Sequence, residues 1–320
     1  MVMEKKKELL ILTGPTAVGK SRLSIQLAQS VNGEIISADS MQVYRHMDIG
    51  SAKIRKEEMQ GVPHHMIDIL KPWEEFNVVT FQKKCKEIMA DIYQRGHIPI
   101  LVGGTGFYIQ SVLYDIDFTE TMEDTAYREE LLQQSRKKGE QFLHDMLRKV
   151  DSVSADLIHM NNVKRVIRAL EYYHQTGECI SQHNEEERKK TSKFASCYFV
   201  LHDDRDKIYK NIDKRVDEMI LLGLEEEVKT LLEMGCKKEM VSMQGLGYKE
   251  IISYLAGECS MEEAIIKIKL ETRHFAKRQI TWFKREKDVI WLNKPDFDYD
   301  DAKILSYMKD KMQENMENEF

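Results

Sequence analysis

The sequence predicts an α/β fold with a mostly parallel sheet, covering helices and an all-helical insertion. Apolar strand patterns alternate with helical patterns over most of the 320 residues, as they do in parallel sheets covered by helices. The alternation stops between residues 116 and 195, where only helical patterns occur. We therefore expect a core built from residues 1–115 and 196–320, with residues 116–195 inserted into it as a helical domain.

The individual elements follow from local patterns. Five buried strands are predicted at residues 9–13, 34–37, 98–102, 197–201 and 289–292. Within the insertion, helical spacing predicts helices over residues 125–149, near 155–158 and over 163–174. The acidic tail after Asp296 predicts a terminal helix that frays.

The first strand leads into the most informative segment of the chain. This phosphate loop reads Gly14-Pro15-Thr16-Ala17-Val18-Gly19-Lys20-Ser21, a full G-x-x-x-x-G-K-[ST] pattern followed by helical spacing. Its glycines let backbone N–H groups turn toward an anion, Lys20 adds a positive charge, and the Ser21 hydroxyl can ligate Mg²⁺. The pattern predicts a P-loop NTPase-like core that holds a di- or triphosphate.

The charge distribution is uneven. A net charge of −6 argues against a globally basic nucleic-acid-binding protein. Between residues 267 and 287, however, eight Lys/Arg residues face only two acids on one predicted helix, a local charge of +6. This segregation is typical of a surface that faces a polyanion, although a solvated helix face explains it equally well.

The spacing of the cysteines and the length of the apolar runs indicate the cellular compartment. The five cysteines stand far apart without a C-x-x-C pair, which favours neither a disulfide framework nor a zinc site. No apolar stretch approaches a membrane-spanning length. We expect a cytoplasmic protein with reduced thiols and no membrane partner.

A carboxylate after a second strand is expected to complete the phosphate site. Asp203-Asp204 follows the strand at 197–201, and Asp39 follows the strand at 34–37. We favour Asp39 because its strand comes directly after the phosphate-loop helix and is expected to neighbour the first strand. The next residues, Ser40-Met41-Gln42, supply an amide able to pair with an adenine edge. A helix-capping role for Asp39 is the alternative.

Two other segments carry polar groups suited to a ligand. Gly103-Gly104-Thr105-Gly106 follows a strand, so that backbone can approach a ligand closely while Thr105 offers a hydroxyl. In the insertion, Arg165 and Arg168 lie three apart on one helical face and could grip a diphosphate or a nucleic-acid backbone. An exposed arginine pair on a solvated face is the alternative.

Taken together, these motifs resemble the bacterial tRNA dimethylallyltransferases, also called tRNA isopentenylpyrophosphate transferases. The resemblance extends from about Leu9 to Leu292. It rests on the phosphate loop and on segments that begin at Ser37 (SADSMQVY), Gly61 (GVPHH), Gly103 (GGTG), Arg165 (RVIRALE), Gly245 (GLGYKE) and Ala276 (AKRQITWF).

The resemblance implies transfer of a dimethylallyl group from dimethylallyl diphosphate to the exocyclic amine of the adenosine 3′ to a tRNA anticodon. By match to the family, Asp39 acts as general base, and Lys20, Arg165, Arg215 and Mg²⁺ bound through Ser21 stabilise the diphosphate. Thr16 and Thr105 line the reaction channel. The implied tRNA contacts are Asp39, Ser40, Met41, Gln42, Thr105, Arg128, Lys164, Arg165, Arg168, Gln244, Gly245, Tyr248, Lys249, Lys277, Arg278 and Gln279.

Two departures and two alternatives accompany this hypothesis. His159-Met160-Asn161 lacks the proline that the family often has before the arginine helix, and Ser21 stands where threonine is common. A small-molecule kinase that uses ATP on the same loop, with Asp39 as substrate base, is the main competing function. An RNA-binding module with a vestigial phosphate site is the other. We expect the enzyme to act as a monomer on the anticodon stem-loop.

Overall fold

The computed structural model describes residues 6–118 and 125–318, which form two compact units. One unit comprises Met1–Leu113 and Ser192–Phe320, and the other comprises Tyr114–Thr191. The boundaries expected from the sequence were residues 116 and 195. The first unit carries the sheet, and the described residues of the second form helices joined by turns.

Six strands form one parallel sheet, which confirms the predicted α/β class. They are β1 (Lys7–Thr13), β2 (Gly33–Ser37), β3 (His64–His65), β4 (Ile98–Gly103), β5 (Phe194–His202) and β6 (Val289–Asn293), in the order β3-β2-β4-β1-β5-β6. The five predicted strands are present, and β3 is an additional short edge strand. The central strands are buried on both faces, as expected for a sheet with helices on both sides.

Thirteen α-helices lie within the described residues. They are α1 (Lys20–Val31), α2 (Val78–Gln94), α3 (Gly106–Leu113), α4 (Thr125–Lys138), α5 (Glu140–Val150), α6 (Ser152–Leu157), α7 (Val163–Thr176), α8 (Ile180–Lys189), α9 (Arg205–Leu221), α10 (Leu224–Glu233), α11 (Tyr248–Leu255), α12 (Met261–Phe283) and α13 (Asp301–Asn318). None of these helices combines the length and apolarity needed to cross a bilayer. All five cysteines are free thiols.

The strand order corrects one expectation about Asp39. Its strand, β2, does not neighbour β1, because β4 lies between them and pairs with both. The expectation assumed that strands consecutive in sequence pair directly. The apolar run of β4, buried at Pro99 to Leu101, suits a position between two other strands. As a result, Gly103 at the end of β4 lies between the phosphate loop and the residues that follow β2.

The core under the phosphate loop is built from β1, α1, β5 and α13. Leu12 of β1 and Leu27 of α1 are fully buried there. Ile304 and Met308 of α13 are four residues apart, lie on the same helical face, and have no exposed surface. The expectation that the terminal helix frays is therefore wrong over these turns. The acidic composition of α13 suggested fraying, but the apolar stripe of this helix packs on the sheet.

The helical unit has its own apolar core. Leu131, Leu147, Val166 and Leu170 are buried in it at helical spacing. The single helix predicted over residues 125–149 is two helices, because Gly139 between α4 and α5 adopts a φ of 87°. A positive φ of this kind interrupts α-helical hydrogen bonding and is readily adopted by glycine. Helix α8 was not predicted.

Candidate active site

The backbone of the phosphate loop requires glycine at particular positions. Gly14 and Gly19 adopt φ angles of 143° and 100°, and a Cβ on Gly14 would overlap the carbonyl oxygen of Leu201 in β5. Ala17 is also left-handed, with a φ of 63°. Gly19 forms the N-cap of α1, so the loop brings the first N–H groups of a helix and its positive end to one place.

Lys20 places the ammonium group of a half-buried side chain inside this loop. Its Nζ donates to the carbonyl oxygens of Gly14 at 3.0 Å and Pro15 at 2.8 Å. Burial lowers the pKa of Lys20 to about 7, Arg215 acts in the same direction, and the Asp39 carboxylate opposes them. A partly desolvated cation that bonds to carbonyl dipoles and lies near a second cation gains from binding an anionic ligand.

Residues distant in sequence hold the loop in place. Gln279 of α12 is 6% exposed and bridges two strand ends: its Oε1 accepts from Thr16 N at 2.9 Å, and its Nε2 donates to Gly104 O at 3.0 Å. A Cβ on Gly104 would overlap this amide. The glycines after β4 thus allow α12 to pack directly on the loop.

Two basic side chains and one amide complete the rim of the phosphate loop. Arg215 of α9 lies with its Nη1 3.4 Å from Thr16 Oγ1, and burial lowers its pKa against the opposing effects of Glu218 and Asp39. Asn211 donates to Ala17 O at 3.3 Å, and Lys294 Nζ donates to Val18 O at 3.3 Å. Lys20 and Lys294 therefore contact opposite ends of the loop.

Asp39 opens a second segment at the same edge of the sheet. Its Oδ1 accepts from Met41 N at 2.8 Å and Gln42 N at 3.4 Å. Residues 39–44, which we call the Asp39 segment, form turns rather than a helix, so the helix-capping alternative is wrong. Within the described residues the hydrogen bonds to Asp39 use Oδ1, which leaves Oδ2 for a ligand.

Gly103 and Thr105 join the Asp39 segment to the phosphate loop. Thr13 Oγ1 donates to Gly103 O at 2.6 Å, and Thr105 N donates to Ala38 O at 3.3 Å. A Cβ on Gly103 would overlap the carbonyl group of Ala38. The structure thus gathers Lys20, Asp39, Thr105 and Arg215 at one edge of the sheet, as the sequence predicts.

Two predicted RNA contacts are instead internal to the protein. Tyr248 has no exposed surface, and its hydroxyl donates to Glu227 Oε1 at 2.7 Å. Gln279 is buried, and both ends of its amide are engaged in the protein. We therefore assign both as positioning residues. The sequence places them in two of the motifs that carry the family resemblance but does not show which side chains point inward.

The other predicted contacts near the Asp39 segment differ in exposure. Ser40, Met41 and Gln42 are half-buried. Gly245 packs closely on Met41, since a Cβ there would lie 2.5 Å from Met41 Cε. Gln244 is exposed, and Lys249 is half-buried with its Nζ 3.6 Å from Glu250 Oε1.

The basic run on α12 divides into two groups. The helix ends at Phe283, so the run from 267 to 287 is not a single helix as predicted. Lys269 and Arg273 pair with Asp217 and Asp213 of α9, which neutralises that part. Lys277, Arg278 and Arg285 line an open cleft of about 450 Å³ together with His274, Thr281 and Trp282, and Lys267, Lys284 and Lys287 are exposed outside it. This second group offers its positive charge to a polyanion.

The helical unit carries the remaining predicted residues. Lys164, Arg165 and Arg168 are exposed on α7, on the face opposite the buried Val166 and Ile167. In the same unit, Arg128 forms two hydrogen bonds with the buried carboxylate of Glu171, at 2.7 and 2.8 Å. The part of Arg165 in diphosphate binding stays a prediction.

The residues around the phosphate loop suit a Mg²⁺ ion that is held mainly by diphosphate oxygens rather than by protein side chains. Ser21 is exposed in the first turn of α1. Across the described ranges, no group of three His, Cys, Asp or Glu side chains could hold a metal by itself. Mg²⁺ commonly binds through few protein groups plus phosphate oxygens and water, so Ser21 and a bound diphosphate form a suitable donor set.

Comparisons with known proteins identify the family. The family model described as IPP transferase matches residues 42–286, and that described as isopentenyl transferase matches residues 7–72. The chain is 60% identical to the tRNA dimethylallyltransferase of Lachnoclostridium phytofermentans over 94% of its own length and 96% of that protein.

Solved structures extend the agreement to the fold. The full-length tRNA isopentenylpyrophosphate transferase of Bacillus halodurans has a TM-score of 0.74 at 42% identity, covering 98% of this chain and 99% of its own. A eukaryotic dimethylallyltransferase, described as acting on tRNA, has a TM-score of 0.78 at 33% identity, covering 90% of this chain and 74% of its own.

Proposed function

The chain belongs to the IPP transferase family of prenyltransferases, and we propose that it transfers a dimethylallyl group from dimethylallyl diphosphate to tRNA. The acceptor is the exocyclic amine of the adenosine 3′-adjacent to the anticodon, and diphosphate is the leaving group. The observation that carries this proposal is that Asp39 after β2, Lys20 after β1 and Arg215 of α9, whose Nη1 lies 3.4 Å from Thr16 Oγ1, are gathered at one edge of the sheet.

The chemistry divides between these groups. The bond between the allylic C1 and the diphosphate oxygen breaks, with its electron pair passing to that oxygen. The amine nitrogen forms the new bond to C1, and its proton passes to the Asp39 carboxylate. An exocyclic adenine amine is a weak nucleophile, so the site must align it with C1, remove its proton and stabilise the leaving charge.

The phosphate loop stabilises the leaving group. Its N–H groups and the N-terminus of α1 supply fixed dipoles, and Lys20 and Arg215 supply charge. Ser21 together with the diphosphate oxygens would hold Mg²⁺, which when bound supplies further neutralisation of the diphosphate. Lys294, at the far end of the loop, adds another positive charge. Thr16 and Thr105 border the path between the loop and Asp39.

The nucleic-acid partner is the anticodon stem-loop of tRNA. The target base is stacked in that loop and must be extruded to reach Asp39. The cleft beside Lys277, Arg278 and Arg285, and the exposed basic face of α7 in the helical unit, offer phosphate contacts that would position the RNA. We further propose that the enzyme acts in the cytoplasm as a monomer, because one chain supplies all groups that the transfer requires.

A labelled transfer assay tests this function. The protein is incubated with Mg²⁺, radiolabelled dimethylallyl diphosphate and tRNA that lacks the modification, and the RNA is digested to nucleosides. We expect the label in one modified adenosine from the anticodon loop. The absence of label in RNA, together with phosphate transfer from ATP to a small molecule, would instead establish a kinase. Binding of RNA without either reaction would establish a binding module.

A further inference from the structure

Glu227 of α10 holds a loop that neither the motifs nor the proposed mechanism explains. Its Oε2 accepts from Asp48 N at 2.8 Å and Ile49 N at 2.7 Å. Its Oε1 accepts from Gly50 N at 3.0 Å and from the Tyr248 hydroxyl at 2.7 Å. One carboxylate therefore receives four hydrogen bonds, three of them from consecutive backbone N–H groups.

This arrangement differs from that of the neighbouring acids on the same helix. Glu225 and Glu226 pair with Lys229 at the surface, as solvated helix acids usually do. The four hydrogen bonds to Glu227 come from neutral donors contributed by two other parts of the chain. Consecutive N–H groups that converge on an anion form a nest, and hydrogen bonds to an ionised acceptor are among the stronger ones in proteins. Glu227 thus fixes the conformation of residues 48–50.

The loop fixed by Glu227 packs against the Asp39 segment. Gln42 Nε2 lies 3.5 Å from the carbonyl oxygens of both Ser51 and Ala52. Lys53, whose side chain is 4% exposed, donates to Tyr44 O at 2.7 Å and pairs with Asp48. These contacts connect both ends of the loop to residues 42 and 44.

Tyr248 completes this support. A Cβ on Gly50 would lie 2.5 Å from the Tyr248 ring, so the loop backbone rests directly on the aromatic side chain. Burial raises the pKa of Tyr248 well above its usual value, and Glu227 acts in the same direction, so the phenol stays a proton donor to the carboxylate. Backbone, ring and carboxylate thus form one packed unit.

We propose that Glu227 is a positioning residue for the RNA-acceptor side of the site, acting with Tyr248 through residues 48–52 on Gln42 and the Asp39 segment. This inference rests on the proposed function, in which Asp39 and Gln42 meet the extruded adenosine. The phosphate loop makes no contact with Glu227 among the described hydrogen bonds. Glu227 therefore affects alignment of the base and leaves diphosphate binding unchanged.

The test compares Glu227→Gln with Glu226→Gln, the adjacent exposed acid, and with Tyr248→Phe. An amide at position 227 offers one acceptor oxygen and sets an N–H donor against backbone N–H groups, so the loop loses part of its nest. We expect Glu227→Gln to lower kcat on the order of tenfold to a hundredfold, as sub-ångström to ångström misplacement does, and to raise KM for the anticodon stem-loop. Tyr248→Phe should change both in the same direction by about threefold, because it removes one hydrogen bond of four. Glu226→Gln should match the unmodified enzyme.

Two further measurements separate positioning from general damage. Titration with Mg²⁺ and inorganic pyrophosphate should give the same Kd in all variants within about twofold. Hydrogen exchange should show lost protection at the amides of Asp48, Ile49 and Gly50 in Glu227→Gln, whether or not the enzyme proves to be a transferase. The proposal is overturned if Glu227→Gln behaves like Glu226→Gln, if protection of those amides is unchanged, or if pyrophosphate affinity falls in parallel with kcat.

Discussion

The phosphate loop and the Asp39 segment follow parallel strands to the same edge of the sheet, but they are held in different ways. The phosphate loop takes its backbone shape from positive φ angles at Gly14, Ala17 and Gly19 and from the start of α1, and Gln279 of α12 holds it through a hydrogen bond from Thr16 N. The Asp39 segment makes turns that side chains from distant elements support, above all Glu227 and its loop. The comparison teaches that the proposed leaving-group side is built mainly from one local motif, which distant side chains support, whereas the proposed acceptor side depends chiefly on tertiary packing.

The largest effect on transfer is expected on the acceptor side, from Asp39→Asn. An amide cannot accept the proton of the adenosine amine, so kcat should fall on the order of a thousandfold, within the usual range for loss of a general base. Single-turnover transfer to the anticodon stem-loop measures this effect. The matched control is Asp204→Asn, an exposed residue at the end of β5, which should transfer at the normal rate. Loss of transfer in the control as well would remove the distinction between these two carboxylates.

The next largest effect is expected on the leaving-group side, from Lys20→Met. This change removes a partly desolvated charge next to the proposed diphosphate position, so kcat should fall on the order of a hundredfold or more, and pyrophosphate should bind more weakly. Lys303→Met, which removes an exposed lysine paired with Asp298, is the control. Normal pyrophosphate binding by Lys20→Met would show that the loop does not hold the diphosphate.

The pH dependence of pyrophosphate binding should show a smaller effect from the same group. Burial lowers the pKa of Lys20 to about 7 in the free protein, and an anion binds the protonated form more tightly. Below pH 7 that form is already present, whereas above pH 7 binding must take up a proton. Kd should therefore rise between pH 7 and 8.5, by up to about tenfold per unit. Lys20→Met should lack this rise, and an identical rise in the variant would assign it to another group.

Gln279→Met tests whether the two sides share a connection. The change removes the hydrogen bonds to Thr16 N and Gly104 O, each worth about 1 kcal/mol, so KM for dimethylallyl diphosphate should rise about fivefold. The neighbouring Lys277→Ala, on the exposed side of α12, should instead raise KM for RNA. Steady-state kinetics with each substrate varied in turn distinguishes the two, and a rise in RNA KM alone for Gln279→Met would contradict the positioning role.

The smallest effect is expected from Lys294→Met. Lys294 is half-buried and contacts one carbonyl of the phosphate loop, so its charge is partly screened by solvent. We expect about a threefold rise in KM for dimethylallyl diphosphate with KM for RNA unchanged. Product inhibition by pyrophosphate should weaken to the same extent. An unchanged inhibition constant would limit Lys294 to a contact with Val18.

The fold class and the position of the phosphate loop follow from local patterns, so the sequence predicts both. A strand, a glycine-rich turn and a helix are adjacent in sequence, so the position of Lys20 follows directly from them. Even there, Lys294 was missed, since it lies 276 residues beyond its partner Val18 and belongs to no motif. The position of β2 in the sheet could not be predicted either, because β4 pairs between β1 and β2 and this pairing depends on packing rather than on sequence adjacency.

The acceptor side was predicted less completely for the same physical reason. Asp39 could be identified from its place after a strand, but the roles of Tyr248 and Gln279 depend on which way their side chains point. Burial of a tyrosine on a helix near a carboxylate leaves no signature in the spacing of polar residues. Glu227 lies in an acidic run that is typical of a solvated helix face. Its different role is visible only from the hydrogen bonds that it receives from the loop at residues 48–50.

The most direct test of the division between the two sides is a pair of binding measurements on opposite variants. Calorimetric titration of Mg²⁺ with pyrophosphate into Asp39→Asn, and of the anticodon stem-loop into Lys20→Met, gives each affinity without turnover. We predict that each of these Kd values lies within about threefold of that of the unmodified enzyme, although transfer is almost abolished in both variants. If either variant loses tenfold or more in affinity for the substrate on the other side, the two segments do not act separately and the account is contradicted.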